Sequence, residues 1–279
     1  MTAASQTVRA DAASPSARRP RSRPRRRPSF LGGLYWILIV LLYLPIVILF
    51  VFSINAGTSL SFPLHGFTLE WYGKLFGSAP LLHAIGNSLI VAIGSSTVAT
   101  ALGTMLGILL SRFEFRLKGL LTGLAILPLI VPYVVLGVAM LILFKAFSVP
   151  LSMVTVIIGH AIVALPYTTL IVLARLVGSE PQLEEAAMDL GATYPGTLRL
   201  VVVPMAMPAI ISAWITAFTV SFDEFAIALF LAGKDTTFPV YLYGQLRFAN
   251  QLPVLIAGAV LLMAGTLTLI LVADRIRRR

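Results

Sequence analysis

The 279-residue chain has no cysteine and little charge: it contains 11 Asp and Glu in all, and charged residues make up 11% of it. The first absence excludes disulfides and thiolate metal sites. The second excludes a soluble globular domain, in which about a quarter of the residues are charged. Histidine is limited to His65, His83 and His160, too scattered for a zinc site. Nucleotide-binding and hydrolase motifs are missing too. Gly233-Lys234-Asp235-Thr236 comes nearest to a phosphate-binding loop, but Ala228 stands where its first glycine is required. No G-x-S-x-G occurs. The expectation is a chain with no catalytic residue, no metal and no cofactor of its own.

What the chain has instead is hydrophobicity, at 58% of residues. Apolar runs lie near residues 34–54, 84–110, 119–144, 152–174, 205–231 and 254–273. Each is about 20 residues or longer, enough to cross roughly 30 Å of hydrocarbon. Lipid offers backbone groups no partner, so each run is expected to be a helix. The fold class predicted is an all-α membrane protein of six transmembrane helices over residues 30–279. Pro45, Pro128, Pro132, Pro166 and Pro208 mark possible kinks. Gly103-Thr-Met-Leu-Gly107 has the spacing of a close helix contact.

The formal charge of +10 would suggest nucleic acid in a soluble protein. Here topology explains it. Residues 1–29 hold eight Arg among Pro, Ser and Ala, a composition expected to be disordered. With that tail inside the cell, Arg112, Arg116, Lys118, Arg175, Arg199, Arg275, Arg277, Arg278 and Arg279 also fall inside, and only Lys74, Lys145, Lys234 and Arg247 fall outside. Basic residues favour the cytoplasmic side, so both termini are expected there, in contact with anionic lipid and not with nucleic acid.

Residues 55–83 carry Phe67, Trp71, Tyr72 and Phe76 and read as an interfacial element on the outer side. The inner loop, residues 175–204, is richer. Ser179-Glu180-Pro181-Gln182 is suited to open a helix. Leu183 to Leu190 continue it, and Gly191 is suited to end it in a left-handed conformation. Thr193 or Thr197 is placed to start a short second helix before the span that begins at Pro204.

Glu185-Ala186-Ala187, then Gly191 after three residues, then Val201-Val202-Val203-Pro204 after nine more, resembles the EAA loop of binding-protein-dependent ABC importer permeases. Valines replace the family's Ile and Leu before the proline. Gly86-Asn87-Ser88-Leu89 resembles the family's NSL segment, and Leu127-Pro128 through Pro132 its third span. The resemblance covers about residues 34–275. It implies a type I importer fold in the bacterial inner membrane. It also implies a second permease subunit, a cytoplasmic ABC ATPase dimer that holds the ATP and Mg, and an external solute-binding protein. Glu184, Glu185, Ala186, Ala187, Gly191 and Pro204 become the candidate ATPase-coupling residues.

Asp223 and Glu224 interrupt the fifth apolar run near its outer end. Acids inside a span face an interior or a pathway. Adjacent residues on a helix diverge by about 100°, so one of the two is expected on a pathway. The alternative is structural: an acid paired with Lys145, Lys234 or a partner subunit, or capping a broken helix. Asn87 is a third candidate for the pathway, and His160 reads as an interhelical hydrogen-bonder. Ser221-Phe222-Asp223-Glu224-Phe225, with Thr237-Phe238-Pro239-Val240-Tyr241-Leu242-Tyr243, resembles the PotC-like branch of the spermidine/putrescine-type permeases. That implies a polyamine substrate and a PotB-like partner. The alternatives are another small solute of the same family, or an ion-coupled carrier, which would need more intramembrane acids than these two.

Overall fold

The computed structural model describes residues 30–58, 61–179 and 182–277. The tail over residues 1–29 lies outside the described residues, as do Glu180 and Pro181 of the expected capping turn. The chain divides into two units, Met1–Ile46 and Val47–Arg279. The described part of the first is the start of an apolar helix, α1 (Phe30–Ser53). The second contains α2 (Glu70–Gly77), α3 (Ala79–Arg112), α4 (Lys118–Ile130), α5 (Tyr133–Ala146), α6 (Met153–Val177), α7 (Gln182–Asp189), α8 (Tyr194–Thr197), α9 (Val203–Phe222), α10 (Ala226–Leu231), α11 (Phe238–Gln245) and α12 (Leu252–Arg277).

The core of the second unit is α3, α6 and α9. Ala99, Ala161, Ala164 and Ala217 meet in one buried layer, the small-residue packing that lets helices approach closely where lipid removes the hydrophobic drive. The Gly103 and Gly107 spacing does what it promised: a Cβ on Gly103 would collide with Thr168, and one on Gly107 would sit 3.0 Å from Val172. Thr168 also donates to the Ala99 carbonyl at 2.8 Å. Gly94 faces Ile157, so the two helices advance together and run parallel. α9 runs the other way, with Met205 near Arg175 and Ser221 near His160.

Since α3 and α6 are parallel, the α4–α5 pair carries the chain back from the end of one to the start of the next. It does so with a break. The run 119–144, expected as one span, is two helices bent by 110°. Pro132 has no N–H to donate and pushes Val131 out of the helical region, to φ −81° and ψ 129°. The run 205–231 is likewise two helices, α9 and α10, separated at Asp223 to Phe225. Among the described residues four helical stretches are long and apolar enough to cross a membrane, Gly32–Ser53, Ala79–Arg112, Met153–Val177 and Tyr194–Phe222, or five crossings with the bent pair counted as one. The described apolar part of α12, Leu252–Thr268, is shorter than a full crossing.

One junction differs from the expected short helix followed by a separate span. Residues 194–222 form a continuous helical rod. Leu198–Val202 is a π turn in which the Val203 N–H reaches the Leu198 carbonyl. The wider turn leaves room for Pro204, whose ring would otherwise press on the preceding turn.

Candidate functional site

The loop between α6 and α8 presents α7 on one end of the core. Gly191 has φ +90°. Its N–H reaches the Met188 carbonyl at 2.9 Å, and the Ala192 N–H reaches the Ala187 carbonyl at 3.1 Å. These paired bonds close the helix with its terminal carbonyls satisfied, and they need the left-handed residue that glycine supplies at no steric cost. Thr193 then caps α8 by accepting from the Gly196 N–H. Leu183, Ala186, Leu190 and, one position round, Glu185 are exposed. Leu190 is 90% exposed, which marks this face as unfilled. Glu184 points the opposite way and is buried. Its Oε1 lies 2.6 Å from an Arg112 terminal nitrogen.

The other end of the core carries the second acidic pair. Glu224 is buried. Its carboxylate accepts from the Ile227 N–H at 2.9 and 3.0 Å and from the Ala228 N–H at 3.2 Å. It therefore caps α10, satisfying orphan donors at the start of that short helix. His160 Nε2 lies 3.1 Å from the same carboxylate, and His160 Nδ1 is 2.8 Å from the Ser221 hydroxyl, which accepts from Ser95 at 2.7 Å. Of the structural alternatives, Glu224 takes the one in which an acid caps a broken helix, and its side-chain partner is this histidine and neither Lys145 nor Lys234. Asp223 is exposed and lines a cleft of about 530 Å³ between α9, α11 and α12, with Phe222, Phe238, Leu242, Met263 and Thr266. Among the described lining residues Asp223 alone is charged. Asn87 lies apart from that lining and donates to the Thr236 carbonyl at 3.0 Å, while the Ser88 hydroxyl accepts from the Phe238 N–H at 2.8 Å. Both tie α3 to the approach of α11. Among the described residues no group of three or more His, Asp or Glu is placed to hold a metal ion.

Residues 99–279 match the family of binding-protein-dependent transport system inner membrane components. The chain belongs to this family. As a permease, it is 31% identical over 248 residues to the spermidine/putrescine transport system permease protein PotC of Escherichia coli K12, covering 88% of this chain and 93% of that one. It is 34% identical over 244 residues to the putrescine transport system permease protein PotI of the same organism, covering 81% and 86%. Its backbone matches a bacterial ABC transporter that imports the acidic polysaccharide alginate, with a TM-score of 0.71 at 17% identity, over 89% of this chain and 93% of that one. It also matches the MetNI methionine ABC transporter, with a TM-score of 0.62 at 20% identity, over 72% and 98%. The permease is thus an inner-membrane, multi-pass protein with the type I importer fold.

Three residues of this permease do more than the sequence indicates. Arg112 counted only towards topology, yet it binds Glu184, the Leu176 carbonyl at 3.1 Å and the Ser179 hydroxyl at 2.7 Å. Ser179, expected to cap the next helix, holds Arg112 and donates to Leu176. His160 is the partner of Glu224. Both pairings join positions more than 60 residues apart, so no local pattern announces them.

Proposed function

We infer that this permease is one membrane subunit of a polyamine importer. The observation that carries the inference is the 31% and 34% identity to PotC and PotI over most of the chain. The cleft supports it: a single carboxylate among apolar and aromatic walls suits a flexible aliphatic chain bearing ammonium groups, through ion pairing and cation–π contact. Asp223 is the pathway acid in this reading, and Glu224 and Asn87 hold the wall around it.

The remaining assembly belongs to the same reading. The chain crosses six times with both termini in the cytoplasm, the polarity that its basic residues favour. It pairs with a PotB-like second permease and receives substrate from an external solute-binding protein, as the related alginate transporter is seen with a periplasmic protein. ATP is bound and hydrolysed by a cytoplasmic ABC ATPase dimer, and this chain holds no nucleotide. α7 is the element that fits the ATPase. Leu183, Ala186 and Leu190 form an apolar stripe at helical spacing, Glu185 and Ala187 flank it, Gly191 sets the turn, and the rod through Pro204 carries motion into the membrane. ATPase closure moves α7, and the core rocks between two arrangements, one of which the loaded binding protein favours.

The test is ATP-dependent uptake of labelled putrescine and spermidine by vesicles holding the complete transporter. The wild type takes up either amine, and Asp223→Asn lowers uptake by at least about fivefold, the equivalent of about 1 kcal/mol of cation attraction. Transport of a neutral or anionic solute in place of both amines contradicts the substrate assignment.

A further inference from the structure

The chain itself joins α7 to the membrane core at both ends, to α6 before it and through the Gly191 turn into the rod of residues 194–222 after it. A side chain adds a further link, Arg112, the last residue of α3. Its guanidinium fork holds three groups at once: Glu184 of α7 at 2.6 Å, the Leu176 carbonyl at the end of α6 at 3.1 Å, and the Ser179 hydroxyl just beyond at 2.7 Å. Both charged side chains are largely shielded, with 13% of Arg112 and 9% of Glu184 exposed. Shielding and the additional donors separate this pair from the exposed Lys74–Glu70 and Lys118–Glu114 pairs, which contribute little.

The helices that Arg112 grips are built to move as one. α3 and α6 interlock through Gly103 against Thr168 and Gly107 against Val172. Their far ends hold the cleft wall. Asn87 and Ser88 of α3 bind Thr236 and Phe238 at the start of α11, and Phe238 lines the cleft. On α6, Thr155 donates to the Leu231 carbonyl at the end of α10, and His160 holds Glu224. A displacement of α7 therefore has a path through Arg112 and along α3 and α6 to the wall beside Asp223, in addition to the path through the rod that contains α9.

We propose that Arg112 is a positioning residue for energy coupling: its clamp on Glu184 delivers the movement of α7 to the α3–α6 pair. This rests on the reading of α7 as the ATPase-docking element. Lysine cannot replace the clamp fully, because a compact ammonium keeps the charge but not the planar fork that reaches three acceptors.

The experiment compares wild type, Arg112→Gln and Arg112→Lys in the complete reconstituted transporter. The amount of ATPase retained on the permease, basal ATP hydrolysis, and hydrolysis stimulated by putrescine-loaded binding protein are measured per assembled complex. Arg112→Gln is expected to retain the ATPase and its basal hydrolysis while losing at least about fivefold of the stimulation, the lower end of ordinary allosteric coupling. Arg112→Lys falls between Arg112→Gln and wild type. Wild-type stimulation and uptake per ATP in assembled Arg112→Gln overturn the proposal, as does a loss confined to assembly or melting temperature. Should Arg112→Gln not assemble, wild-type stimulation in Arg112→Lys overturns it. Failure of the wild-type chain to retain any ATPase overturns the underlying reading of α7 instead, so the two failures are told apart.

Discussion

The two ends of the α3–α6–α9 core present the same arrangement in different chemistry. At one end Glu184 is buried against Arg112 and its neighbour Glu185 is exposed on α7. At the other, Glu224 is buried against His160 and its neighbour Asp223 is exposed on the cleft. In each pair one carboxylate builds the structure and the adjacent one is free for a partner. On α7 a turn of about 100° between successive residues separates the two acids; at Asp223 and Glu224 the break between α9 and α10 does so. Which acid turns inward is decided by a basic or imidazole group on a distant helix, because an acid buried without a partner is too costly to keep.

The comparison breaks most visibly at Glu224. Glu224→Ala removes the cap of α10 and strands His160 in the interior, at a cost of about 3 kcal/mol, and the melting temperature of the purified chain should fall accordingly. Glu184→Ala leaves Arg112 with fewer partners near a helix end, where water is closer, and is expected to cost about 2 kcal/mol by the same measurement. Asp223→Asn touches no such network. Its stability should stay within about 0.5 kcal/mol of wild type while amine uptake falls, which separates the two acids of that pair. Glu185→Gln is the mildest change, with stability unaltered and only the affinity for the ATPase reduced, as read by titration of the ATPase onto the permease. Equal melting losses at Asp223 and Glu224 would show that the division of roles is wrong.

Much of the α7 end was legible in the sequence. Glycine at 191 stops an amphipathic helix because few other residues adopt a left-handed backbone freely, and Thr193 caps the short helix after it. The Gly103–Gly107 contact was legible for a related reason, since two glycines one turn apart leave a groove. Less was legible where proline acts. Pro132 and Pro204 both sit in apolar helical sequence, yet the first accompanies a bend of 110° and the second is absorbed by a π turn. The outcome depends on what packs around the freed carbonyls, which periodicity does not contain. The pairings of Arg112 with Glu184 and His160 with Glu224 were hidden because they are made by the fold. Asn87 showed its polarity but not its partner, a backbone carbonyl of the α11 approach.

The central claim is that α7 receives an ATPase and drives transport. A Cβ at Gly191 would meet open space, so Gly191→Arg burdens the turn only through its left-handed backbone and places a bulky cation beside the docking stripe. The direct measurement is ATP hydrolysis stimulated by loaded binding protein in membranes containing Gly191→Arg. The account predicts that the variant is present in the membrane at near wild-type amount with both stimulation and amine uptake abolished. Stimulation and uptake at wild-type levels would contradict it.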